Sequence, residues 1–134
     1  MRTRLGLLRA EVRRRLRPKS AYAVPYGRGA LYLSHADYEI DWETLKNVLA
    51  DEPYPTDYRG AIVLDIGAHK GYYGAYALVQ GARRVISFEP ETENVKHLER
   101  SVASFDGRGD SWRVERVAVG AHAAEGELDR KSVV

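Results

Sequence analysis

The sequence predicts an α/β fold built on a parallel sheet, and three observations carry that expectation. Ala61-Ile62-Val63-Leu64 is a short, continuous, partly β-branched apolar run, the pattern of a strand buried on both faces. A loop rich in glycine, Asp65 to Gly71, follows it directly. Beyond it, helix-period and strand-period segments alternate with short connections, the order that parallel β-α-β units require.

Taken in order, residues 1–17 read as a helix. Leu5, Leu8, Val12 and Leu16 recur at spacings of three and four and share one face, and Pro18 ends the pattern. Its leucine stripe suits packing on the domain. Its arginines also fit a weak contact with a membrane surface. Residues 19–30, with Pro25, Gly27 and Gly29, read as loop, and Ala30 to Ser34 as a short strand. Asp41 looks like the N-cap of a helix running to Ala50, with Trp42, Leu45 and Leu49 on one face. Pro53 and Pro55 then form a linker. The strand at Ala61–Leu64 is followed by a helix from Gly71 to Val79. A second strand covers Arg84 to Phe88, a second helix Thr92 to Ser104, and a third strand Trp112 to Val119. Glu127 and Leu128 begin a further strand. The chain thus divides into a basic amphipathic helix (1–18), a strand and helix lead-in (19–58) and the sheet-bearing unit (59–134).

Composition narrows the function. The 134 residues suffice for one domain, 44% are hydrophobic and 30% charged, and there is no cysteine. Disulfides, thiolate metal sites and a cysteine nucleophile are excluded. No apolar run approaches the length of a membrane-spanning helix. A cytoplasmic protein is expected. The net charge of +2 hides an asymmetry. Residues 1–20 carry eight basic groups and one acid, whereas the remainder holds 13 basic and 18 acidic groups. A nucleic-acid binder carries its basic surface on the fold itself, so no nucleic-acid partner is expected.

The chemistry concentrates in Asp65-Ile66-Gly67-Ala68-His69-Lys70-Gly71, where a strand ends and a helix begins. Ligands of open α/β sheets bind at the carboxyl ends of strands. Gly67 permits a tight turn and keeps a side chain out of the ligand's way, and Gly71 permits close packing as the helix starts. The glycines at 67, 71 and 74 match neither the dinucleotide fingerprint nor a P-loop. An acid at the strand's end, Asp65, opposes a pyrophosphate and suits a ligand bearing an ammonium group. Glu89, followed by Pro90, ends the next strand, where a carboxylate can accept bonds from ribose hydroxyls. Lys70 reads as a solvated charge.

The stretches VLDIGAHKGYYG, VISFEPETEN and WRVERVAVG together resemble FkbM-type methyltransferases over about Ala61 to Leu128. The resemblance implies a class I, Rossmann-like fold that uses S-adenosylmethionine, with the glycine loop (Asp65, Gly67, Ala68, His69, Gly71) at the methionine end of the cofactor. It implies that Glu89, with Pro90, binds the ribose and that Ala118 lies near the adenine. Tyr72 and Tyr73 either flank the cofactor or pack in the core. Two positions depart from the family: His69 stands where asparagine is common, and Gly74 where a small hydroxyl residue is common. The family continues into a fourth strand beside the first, which this sequence lacks. The expectation is an apparently truncated sheet whose first strand has a bare apolar edge.

The expected activity is methyl transfer to a sugar or another small-molecule acceptor, an in-line displacement in which the protein supplies orientation. His35, His69, His97 and His122 are the available bases, and none earns a catalytic assignment. The alternatives are a cofactor-binding module without catalysis, completed by another chain or an oligomer, and a nicotinamide-dependent oxidoreductase fragment. The glycine spacing opposes the last.

Overall fold

The structure, a computed structural model, describes residues 22–52, 54–105 and 110–126. Residues 1–17 and Glu127–Leu128, read above as a helix and the start of a strand, lie outside them. A two-stranded antiparallel hairpin opens the described chain, β1 (Tyr22–Tyr26) with β2 (Gly29–Leu33). Helix α1 (Tyr38–Ala50) follows. Then come β3 (Ile62–Ile66), α2 (Tyr72–Val79), β4 (Arg84–Phe88), α3 (Thr92–Phe105) and β5 (Trp112–Glu115). The last three strands form one parallel sheet in the order β3-β4-β5. This is the α/β, Rossmann-like arrangement expected from the sequence.

The hairpin replaces the expected loop at residues 19–30. Tyr22, Val24 and Tyr26 alternate inward, and Pro25, which cannot donate a ladder bond, points outward. Gly27 turns the chain at φ 54°. Helix α1 starts four residues earlier than expected, at Tyr38, so Asp41 sits inside its first turn rather than capping it. The third strand ends at Glu115 rather than Val119. The amide of Glu89 makes the final rung to the Glu115 carbonyl, and Pro90 has no N–H with which to continue.

The helices lie on one face of the sheet. Val85, Ser87 and Trp112 point into that layer and are fully buried, and Tyr22, Leu31, Leu45, Tyr72, Leu98 and Phe105 close the same core. The other face is open. Ile62, Leu64 and Ile66 of β3 are 53%, 58% and 61% exposed. The expectation of a strand buried on both faces is therefore corrected, because no described element covers the second face. β3 also forms one edge of the sheet, as the resemblance implies.

Candidate functional site

The glycine loop runs from the end of β3 to the start of α2 in a shape that repeatedly needs the left-handed region. Gly67 has φ 74°, His69 φ 54° and Gly71 φ 88°. A Cβ on Gly67 would meet no atom within 4 Å, so its backbone angle, not crowding, demands glycine. Gly71 is required on both counts, because a Cβ there would lie 2.6 Å from Leu98 and 3.0 Å from Trp112. His69 has no such freedom, and holding a non-glycine residue there costs about 1–3 kcal/mol.

Several hydrogen bonds hold that strain. The amides of Gly67 and Ala68 both donate to the Phe88 carbonyl, at 2.9 and 3.0 Å, which stitches the loop to the end of β4. The His69 amide donates to a Glu89 carboxylate oxygen at 2.7 Å, and the Glu91 amide donates to the other at 2.9 Å. Glu89 is buried, not a solvated strand-end charge. It stands at the tip of β4 directly beside the loop, where the sequence places a ribose-binding carboxylate.

Asp65 is also buried, and its side chain turns toward the helix layer. The Ser87 hydroxyl donates to it at 3.3 Å and itself accepts a 2.9 Å bond from the Trp112 indole N–H. Burial pushes the Asp65 carboxyl up to about 6. The Ser87 bond opposes the rise, nearby Glu89 adds to it, and the Gly74 amide in the first turn of α2 opposes it again. A cationic group entering beside Asp65 would favour its charged form further. Ser87 was not visible as a site residue in the sequence: it is one small polar side chain in an apolar strand.

Lys70 reverses its expectation. Its side chain is 1% exposed and its ammonium lies 2.7 Å from Asp41, whose side chain is fully buried. Asp37 stands 3.5 Å away on the outer side. The second oxygen of Asp41 accepts the Ser34 amide at 2.7 Å. His69 places Nε2 3.8 Å from Asp41, while its Nδ1 is buried without a partner. Burial and the neighbouring Lys70 charge lower the His69 pKa against the opposing pull of Asp41, Glu89 and Asp37, which favours the neutral ring.

Two cavities flank the loop. The larger, about 730 Å³, is bounded by Gly67, His69, Lys70, Glu89, Pro90 and the Ser34–Thr44 lead-in, with His97 on its far wall. The smaller, about 450 Å³, lies against Asp65, Gly67, Ala68, His69, Tyr72 and Tyr73, with Tyr54 at its rim. The structure thus brings Asp65, Gly67, Ala68, His69, Tyr72, Glu89 and Pro90 around one loop. Gly71 stands behind it as packing. Tyr72 serves chiefly the core, its hydroxyl donating to the Tyr32 carbonyl. Ala118 is exposed after the end of β5 and borders neither cavity. His35 and His122 are exposed and line neither cavity, whereas His97 is half-buried on the wall of the larger one.

No known protein-family profile matches the sequence. A tRNA U34 carboxymethyltransferase of Chromohalobacter salexigens is 27% identical over 105 residues, 78% of this chain and 30% of that protein. Among solved structures, a Listeria monocytogenes protein assigned as an S-adenosylmethionine-dependent methyltransferase aligns with 63% of the chain and 34% of its own, at 25% identity and a TM-score of 0.44. An Escherichia coli protein assigned as a methyltransferase aligns with 74% of this chain and 53% of its own, at 22% identity and a TM-score of 0.48. The chain spans about a third of the length of the curated relative it matches.

Proposed function

We propose that this chain carries the S-adenosylmethionine-binding part of a class I methyltransferase, with a sequence pattern that resembles FkbM-type enzymes. The observation that carries the reading is Glu89. Its buried carboxylate stands at the tip of β4, hydrogen-bonded to the glycine loop and lining the cavity that Gly67 leaves open. A nucleoside there has ribose acceptors from Glu89 and unobstructed backbone at Gly67. The methionine end would extend past the loop toward Asp65 and the smaller cavity. Cofactor-bound, the site would present an activated methyl carbon. The residues around the loop would orient and enclose it.

The acceptor we favour is a sugar hydroxyl or another small molecule. The larger cavity is lined by Asp37, Glu89, Glu91 and Glu93, a wall that repels phosphate backbones. A second reading, an RNA acceptor, draws on the similarity to a tRNA-modifying enzyme. It requires bulk tRNA to bind the chain with an affinity that falls steeply with salt, and an absence of gel retardation at low salt would sink it. The site is read as working in the cytoplasm, with a complementing chain or segment supplying the acceptor half. Among the described residues no helix is long and apolar enough to cross a membrane.

Calorimetric titration with S-adenosylhomocysteine tests the core of the reading. Glu89→Ala removes charge-assisted bonds worth roughly 1.5–3 kcal/mol, so binding should weaken about 10- to 100-fold. A folded chain that ignores S-adenosylhomocysteine and takes up NAD would overturn the proposal in favour of an oxidoreductase.

A further inference from the structure

We infer that Asp41 and Lys70 are positioning residues: their buried ion pair fastens the glycine loop to the lead-in helix and keeps it in shape when a ligand claims Glu89. The inference rests on the cofactor reading above, and the test below separates the two.

The loop needs fastening because three of its five residues from Gly67 to Gly71 hold positive φ, one of them a histidine. At that histidine two neighbours act. On one side the His69 amide is held by Glu89 at 2.7 Å. On the other, the next residue sends its ammonium into Asp41 at 2.7 Å. Asp41 is itself fixed to the end of β2 through the Ser34 amide, so the anchor is tied to the hairpin as well as to α1.

The two fastenings differ in what a ligand does to them. Glu89 lines the open cavity, and both its oxygens already accept backbone amides. Ribose hydroxyls arriving there must share those oxygens with the His69 amide, so the bond that shapes the loop weakens as the ligand binds. Lys70 borders the same cavity, but its side chain is 1% exposed and its ammonium is turned into Asp41, which lines neither cavity. A ligand cannot reach that bond without unpairing both charges. Loop shape and ligand binding therefore compete at Glu89 and are decoupled at Lys70. The lysine is a fastener, not a ligand for the cofactor's carboxylate.

The test uses the full chain with Asp41→Asn and Lys70→Met combined. This pair removes both charges together and leaves an oxygen for the Ser34 amide, so no lone buried charge remains. Amide hydrogen exchange at residues 67–71 is read without ligand, and S-adenosylhomocysteine affinity by calorimetry. The expected result is exchange at least about 10-fold faster in that segment, with β4 and β5 unchanged, and a dissociation constant raised about 10-fold or more. Unchanged exchange and affinity in the folded double variant would overturn the inference. So would acceleration spread evenly over the chain, which marks a merely structural pair. If the double variant does not fold, Asp41→Asn alone is read the same way. If the parent chain binds no S-adenosylhomocysteine but the loop still loosens locally, the cofactor reading fails and the fastening stands.

Discussion

The two faces of the parallel sheet obey different rules although the same strands build both. On the helix-bearing face, Asp65, Ser87 and Trp112 form a buried hydrogen-bonded chain across three strands, with Val85 among them. On the open face, alternate residues of β3 expose large aliphatic side chains to solvent. Every contact that shapes the glycine loop comes from the covered face, the strand tips or the lead-in helix. The open face contributes no hydrogen bond to it, although Leu64 and Ile66 border the smaller cavity beside the loop. The contrast teaches that the fastening of the ligand loop and the uncovered apolar surface are separable properties of this chain, so a substitution should disturb one and spare the other.

The largest effect should come from Lys70→Ala. It strands the Asp41 carboxylate without its cation, and breaking a buried pair in this way costs about 3–5 kcal/mol. Urea unfolding should show it, and a loss below about 1 kcal/mol would mean the loop is held by Glu89 alone.

Next is the pH dependence set by Asp65. Its folded pKa, about 6, lies above the ordinary value of 3.8. The folded state therefore binds this proton more tightly than the unfolded state. Stability from this group is fully present below about pH 4 and is lost as pH rises to about 6, on the order of 3 kcal/mol in all. Asp65→Asn should remove that slope from urea titrations between pH 4 and 6. A variant that keeps the slope would assign it to another group.

A smaller change is expected for Gly74→Ala. The added Cβ would lie 2.8 Å from the Trp112 indole, and overpacking of this kind costs about 1–3 kcal/mol. A shifted Trp112 emission with a lowered thermal midpoint would report it. Smallest of all is Leu64→Thr on the open face. It should alter stability by no more than about 0.5 kcal/mol while reducing aggregation measured by light scattering. A loss above about 1 kcal/mol would show that the open face is covered in solution, and would break the comparison.

Much of the sheet was legible in the sequence because its signals are local. The apolar run before Asp65, the glycines after it and the helical spacing of Val95, Leu98 and Val102 each sit within a dozen residues, and the strands and helices follow them. Glu89 was legible because Pro90 marks the strand's end. Tyr22 to Tyr26 was not: proline and two nearby glycines mask an inward alternation of Tyr22, Val24 and Tyr26. Lys70 could not be read, because its partner lies 29 residues earlier and only folding brings them together. Ser87 was hidden for the same reason, since the indole that uses it lies 25 residues on. The extent of burial on β3 failed because a continuous apolar run records what a strand can bury, whereas exposure depends on what covers it.

Arg28, at the tip of the hairpin, sets an order of events for the newborn chain. Its guanidinium Nε donates to the Phe105 carbonyl at 2.7 Å, and a second nitrogen donates to Ser111 at 3.0 Å, across 77 and 83 residues. Ala30 meets the Ser104 hydroxyl in the same region, giving at 2.9 Å and receiving at 3.0 Å. During synthesis the hairpin is made before its docking partner, the far end of α3. The clasp cannot close until residue 105 has left the ribosome, and until then Tyr22, Leu31 and Leu33 have no finished core to enter. The hairpin thus waits to be fastened until α3 is made, and the time it waits is set by the rate of translation rather than by its own propensity to form.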